Sequence, residues 1–88
     1  MRADHEVLVE LPGLRPPTVH TLNDDTLGRI WDSVRHLPMS RFEHHVLERR
    51  LTGPCARRDI VRELADTPAV TLPCGDRELR LSWANPPR

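Results

Sequence analysis

Four side chains with metal-binding or nucleophilic chemistry fall between residues 44 and 74: His44, His45, Cys55 and Cys74. Together they make the donor set of a Cys₂His₂ zinc site, but structural zinc sites draw their ligands in pairs two to four residues apart. Here eighteen residues separate the two cysteines. The histidines are adjacent, which on a helix turns them about 100° apart. The spacing argues against a metal site, and no metal or cofactor is expected. Cys55 stands two residues before Arg57-Arg58 at the start of a helix, a setting that favours a thiolate. An inert, semi-buried cysteine is the plainer account. His44 and Glu48 are four apart and share a helical face, as a base and its orienting carboxylate would. No Ser or Cys is placed nearby as their nucleophile, and the four glycines stand singly at 13, 28, 53 and 75, so no phosphate-cradling loop exists. No catalytic residue is expected.

The densest functional grouping is cationic. Arg41, Arg49, Arg50, Arg57, Arg58 and Arg62 lie on two consecutive helical segments, interleaved with Glu43, Glu48, Asp59 and Glu63. Such a mixture reads either as a mutually paired, solvated face or as a surface that meets phosphates or carboxylates. Arg49, Arg50, Arg57, Arg58 and Arg62 are the candidate contacts to a partner. All thirteen basic residues are Arg and balance thirteen acids, so no long-range field draws the chain to nucleic acid or to an anionic membrane. A GC-rich coding sequence accounts for the missing lysine as readily as selection for bidentate contacts does.

These groups must be held by a small number of elements. His5 to Leu11 alternates, with Val7, Val9 and Leu11 on one face, the pattern of a half-buried strand over 5–11. Pro12-Gly13 and Pro16-Pro17 then imply a proline-rich loop over 12–22. Asn23 or Asp24 can cap a helix over 24–37, whose Leu27, Ile30, Trp31, Val34 and Leu37 repeat at three and four. Gly28 inside it marks a close approach of another backbone. Ser40 and Glu43 form a capping box that starts a second helix over 40–51, with Phe42, Val46, Leu47 and Leu51 turned inward. Gly53, in a left-handed conformation, closes that helix, and Pro54 opens a third over 54–66. Ala56, Ile60, Val61, Leu64 and Ala65 make its buried stripe. Beyond Thr67-Pro68 the period changes to two. Val70, Leu72, Leu79 and Leu81 meet on one face of a hairpin over 69–84 if Gly75-Asp76 forms a type II′ turn. The tail 85–88, with Pro86-Pro87, is expected to fray.

The expected order is β-α-α-α-β-β. It implies a single α+β domain of two layers, a three-stranded sheet covered on one face by three helices. Eighty-eight residues support only a small core, since such a chain buries roughly 60 to 65% of the surface it exposes when unfolded. The opening MRADHEVLVE lacks an apolar signal region and nowhere do about 18 apolar residues run together, so a cytoplasmic protein without membrane contact is expected, its two cysteines reduced.

The stretch from Leu27 to Leu64, with its Leu37-Pro38 break followed by Val46-Leu47 and Asp59-Ile60-Val61, resembles the helical spacing of sigma-factor region 4. Three helices followed by a hairpin also resemble a winged helix. Both resemblances imply DNA binding. The chain departs from the first where Pro68, Pro73 and Gly75 put a hairpin in place of a recognition helix. It departs from the second in lacking a strand after helix one. The leading expectation is therefore a non-enzymatic protein-protein interaction module, a small accessory or regulatory protein, in which a homo-oligomer is also admissible. The alternative is a DNA-binding regulator using the third helix and the hairpin. A continuous positive surface over Arg57, Arg58, Arg62, Arg77 and Arg80 would favour DNA, and alternating signs a protein partner.

Overall fold

The computed structural model describes residues 6–11 and 15–84, which form seven elements: β1 (Glu6–Leu11), β2 (Arg15–Thr21), α1 (Asp24–Val34), α2 (Arg41–Thr52), α3 (Ala56–Asp66), β3 (Val70–Cys74) and β4 (Arg77–Trp83). The α+β class holds, and the sheet has four antiparallel strands in the order β2-β1-β4-β3. His5, the start of the loop at 12–14 and the tail 85–88 lie outside the described residues.

The fourth strand corrects the proline-rich loop expected over 12–22. Pro16 and Pro17 sit where the β1–β2 register slips: Val9 faces Thr18 and Leu11 faces Arg15, so two residues on β2 oppose one on β1. A bulge in an edge strand is a place where a sheet tolerates residues without an N–H. The prolines bend this strand without abolishing it. The hairpin register is as expected, with Leu72 opposite Leu79 and Val70 opposite Leu81. Gly75 has φ +70°, and no described non-glycine residue has a positive φ, so Asp76 is not left-handed and the turn fits type II′ rather than I′.

One face of the sheet carries Val7, Val9, Leu11, Val70, Leu72, Leu79 and Leu81, all buried against the helices. Leu27, Ile30, Trp31 and Val34 of α1, Leu47 and Leu51 of α2, and Ala56, Ile60 and Leu64 of α3, with Leu22 and Cys74, complete the core. Among the described residues no polar or charged side chain is buried. The core is held by apolar burial alone.

α1 and α2 begin at the caps their sequences dictate. Asn23 Oδ1 accepts from the Thr26 N–H at 2.8 Å, and Ser40 and Glu43 complete both halves of the capping box at 3.1 and 3.2 Å. Other boundaries differ from expectation. α1 stops at Val34, three residues early, leaving Leu37 half-buried beyond it. α3 starts at Ala56 rather than Pro54, after Cys55, whose side chain makes no capping bond. Gly53 is not left-handed but extended, with φ −67° and ψ 164°. Its glycine is required for space, since a Cβ there would stand 2.5 Å from the Arg49 carbonyl oxygen. Gly28 is the reverse case: a Cβ would meet nothing, so no backbone approaches it.

α2 is also rotated from expectation. Phe42 is 75% exposed and Val46 38%, while Glu43, His44 and Arg50 are half-buried. At 3.6 residues per turn Phe42 lies about 140° from Leu47 and about 180° from Leu51, so the four cannot share one face. The core takes the two leucines. On α3, Ala65 is exposed and Val61 only half-buried, so the stripe narrows to Ala56, Ile60 and Leu64.

Candidate functional site

Turning Leu47 and Leu51 inward leaves Phe42, Val46 and Arg49, at i, i+4 and i+7, as one continuous outward stripe along α2. Beside it, a groove of about 290 Å³ runs between α2 and α3, lined by His45, Val46, Arg49, Arg50, Ala56 and Asp59. Its floor is fixed. Ala56 is buried under it, and Arg50 Nη2 meets Glu63 Oε2 at 2.6 Å, tying α2 to α3 at the groove's edge. Both partners of that bridge are partly solvated, so its contribution to stability is modest, below about 1 kcal/mol. It mainly holds the two helices in register.

The five candidate arginines divide. Arg50 is committed to Glu63. Arg49, Arg57, Arg58 and Arg62 are exposed and form no ion pair among the described residues. Arg49 belongs to the Phe42 stripe, whereas Arg58 and Arg62, four apart, occupy the outer face of α3. Arg80 lies elsewhere. It alternates with the buried Leu79 and Leu81, so it points from the opposite face of the sheet, where it pairs with Glu10 at 3.6 Å. Arg80 therefore takes no part in a positive surface shared with α3, whereas Arg77, in phase with Leu79 and Leu81, stays on the helical side. Nor does the hairpin tip project. A side chain at Gly75 would run into the Pro38 carbonyl, with Met39 close by, so the turn is seated on the α1–α2 connection.

The four thiol and imidazole groups are not brought together. Cys74 is buried at the hairpin end of β3, its Sγ 3.6 Å from the Leu72 carbonyl oxygen. Burial pushes its pKa above the ordinary thiol value, the Leu79 backbone bond opposes that shift, and the Glu43 carboxylate adds to it. Its neighbour Gly75 packs on Pro38 and Met39, which puts Cys74 near the N-terminal end of α2, whereas Cys55 is exposed just past the other end of this helix. Twelve residues of helix span roughly 18 Å. His44 is half-buried, its ring 4.8 Å from that of Trp31 in an edge-on arrangement at 68°. Its imidazole is engaged in packing rather than paired with Glu48 as a base. His45 faces outward into the α2–α3 groove. No group of three potential metal ligands occurs among the described residues.

The exposure of Phe42 and Val46 escaped the sequence reading, although helical arithmetic from Leu47 and Leu51 carries the signal. A second cleft, of about 180 Å³, escaped it as well. It opens between β2 and α1, lined by Thr18, His20, Thr26, Arg29 and Ser33 over Val9, Leu11 and Ile30. No sequence pattern joins these residues, because Pro16-Pro17 denotes a loop where the structure has β2.

Among the described residues no helix is long and apolar enough to cross a membrane. No protein-family model matches the chain, and neither the curated proteins nor the solved structures include a match.

Proposed function

We propose that this protein is a docking module whose α2 face binds a protein partner presenting an apolar anchor flanked by carboxylates. The observation that carries this reading is Phe42, the one phenylalanine of the chain, standing 75% exposed in a well-capped helix. Single exposed apolar residues are ordinary on protein surfaces. Phe42 is not single: it continues into Val46 and the α2–α3 groove, with Arg41, His45 and Arg49 around it. An exposed aromatic beside a groove with a cationic rim is the composition of an interface centre, where aromatic and Arg residues supply most of the affinity. Arg49 offers a planar, bidentate partner to a carboxylate.

DNA binding is the second reading, favoured by Arg57, Arg58 and Arg62, which form no ion pair among the described residues. Against it stand the placement of Arg80 on the far face of the sheet and the seating of the Gly75-Asp76 turn, which leaves no free wing to enter a groove. Two experiments, a DNA titration and a capture comparison, separate the readings. Random duplex DNA, followed by fluorescence anisotropy, is expected to bind no tighter than on the order of 10 μM at physiological salt. A protein partner captured by the wild type is expected to be lost from Phe42→Ser and Arg49→Glu baits and retained by Arg58→Ala. Submicromolar, sequence-selective DNA binding that disappears in an Arg57→Ala, Arg58→Ala double variant overturns the docking reading.

A further inference from the structure

β2 is an edge strand of the sheet, and among the described residues no strand pairs with its outer side. Ala84 donates its N–H to the Glu6 carbonyl at 2.9 Å. Glu6, Leu8 and Glu10 therefore turn their peptide groups toward β4, and Val7, Val9 and Leu11 turn theirs toward β2. His20 and Thr18, opposite Val7 and Val9, complete those bonds. By the same alternation the N–H and C=O groups of Val19 and Thr21 point outward from the edge. Pro16 and Pro17 block strand pairing only in the first half of β2, so a stretch beginning at Thr18 is left able to accept a fifth strand.

Beneath this stretch lies the β2–α1 cleft. Thr18 and His20 enter it from the strand, and Thr26, Arg29 and Ser33, at i, i+3 and i+7, line it from one flank of α1. Thr18 Oγ1 and His20 Nε2 are 2.8 Å apart, so the two strand side chains that line the cleft are hydrogen-bonded to each other. Arg29 has no ion pair among the described residues, and no carboxylate lines the cleft. Val9, Leu11 and Ile30 form an apolar floor. A strand added to β2 would direct alternate side chains over this cleft, where they meet a guanidinium, an imidazole and hydroxyls above apolar surface.

We propose that β2 and α1 together receive an extended acidic peptide segment. It would pair with the backbone of Val19 and Thr21 and set a carboxylate against Arg29 and His20. The shared chemistry, a carboxylate in a hydroxyl-lined cleft, would also suit a free small acid, and the experiment separates the two.

The probe is an acetylated, amidated heptapeptide alternating valine and glutamate, titrated into the ¹⁵N-labelled full chain. The expected result is saturable binding with slowed amide exchange at Val19 and Thr21. Replacing the glutamates by glutamine, or making Arg29→Glu, should weaken binding by about tenfold or more, the scale of a lost charge-assisted pair. N-methylation of the central peptide bonds should abolish it without altering the protein, and Phe42→Ser should leave it unchanged. Absence of binding at millimolar peptide overturns the proposal. So does binding that ignores N-methylation or Arg29→Glu, or succinate shifting the cleft resonances as far as the peptide does.

Discussion

Two residues test the local physics without touching either surface. Gly28 sits inside α1 with open space where a side chain would go, so it carries the entropic cost of glycine in a helix and no packing benefit. Gly28→Ala should stabilise the protein by about 0.5–1 kcal/mol in denaturant melts. A loss of stability would mean that something does approach this position. Cys74 offers a test by pH. Burial raises its pKa, so the folded state keeps a proton that the unfolded chain releases above the ordinary value of 9.0. Between those two values the unfolded state binds fewer protons, so stability is full below pH 9.0 and falls as the pH climbs toward the folded pKa. The chain has neither Lys nor Tyr, whose titrations would overlap this window. Denaturation measured from pH 7 upward should show the decline, and Cys74→Ala should flatten it. An unchanged slope in that variant would place the proton elsewhere.

At the scale of elements, legibility followed the strength of local signals. The capping box at Ser40 and the Asn23 cap involve contacts three residues apart, the hairpin around Gly75 pairs residues no more than eleven apart, and each occurs as expected. β2 was illegible because Pro16-Pro17 denotes a loop unless the chain can place a bulge against β1, a long-range pairing that no local pattern announces. α2 was misread for a different reason. Its four apolar residues span half the helix circumference, and only the demand of the core for Leu47 and Leu51 decides which half is buried. The stripe left outside is the candidate site. Phe42→Ser therefore makes an element-level prediction: stability should change by no more than about 0.5 kcal/mol, as for a surface substitution. A loss of several kcal/mol would show that Phe42 packs inward and would remove the basis of the docking face.

For the whole molecule, two layers share one apolar core, anchored on the helical side by α1. Trp31, 6% exposed, touches both the core and the His44 ring, and no larger side chain is buried. Trp31→Ala should cost roughly 3 to 5 kcal/mol, a large share of the stability available to so small a protein. Denaturant melts showing less than about 1 kcal/mol of loss would contradict this packing. The same architecture separates the surfaces. The Phe42 stripe and the α2–α3 groove lie on the helical layer, and Arg80 lies across the sheet from them. A docking module needs only the helical face, whereas a winged DNA-binder needs α3 and the hairpin to act together.

Site-specific photocrosslinking tests that claim most directly. Benzoylphenylalanine in place of Phe42, in the intact chain within its native host, should yield a discrete protein adduct on irradiation. The same probe in place of Thr71, which alternates with the buried Val70 and Leu72 and so faces away from the helices, should yield none. Adding Arg49→Glu should remove the Phe42 adduct. No adduct at position 42, or one that nuclease treatment abolishes, would contradict the account.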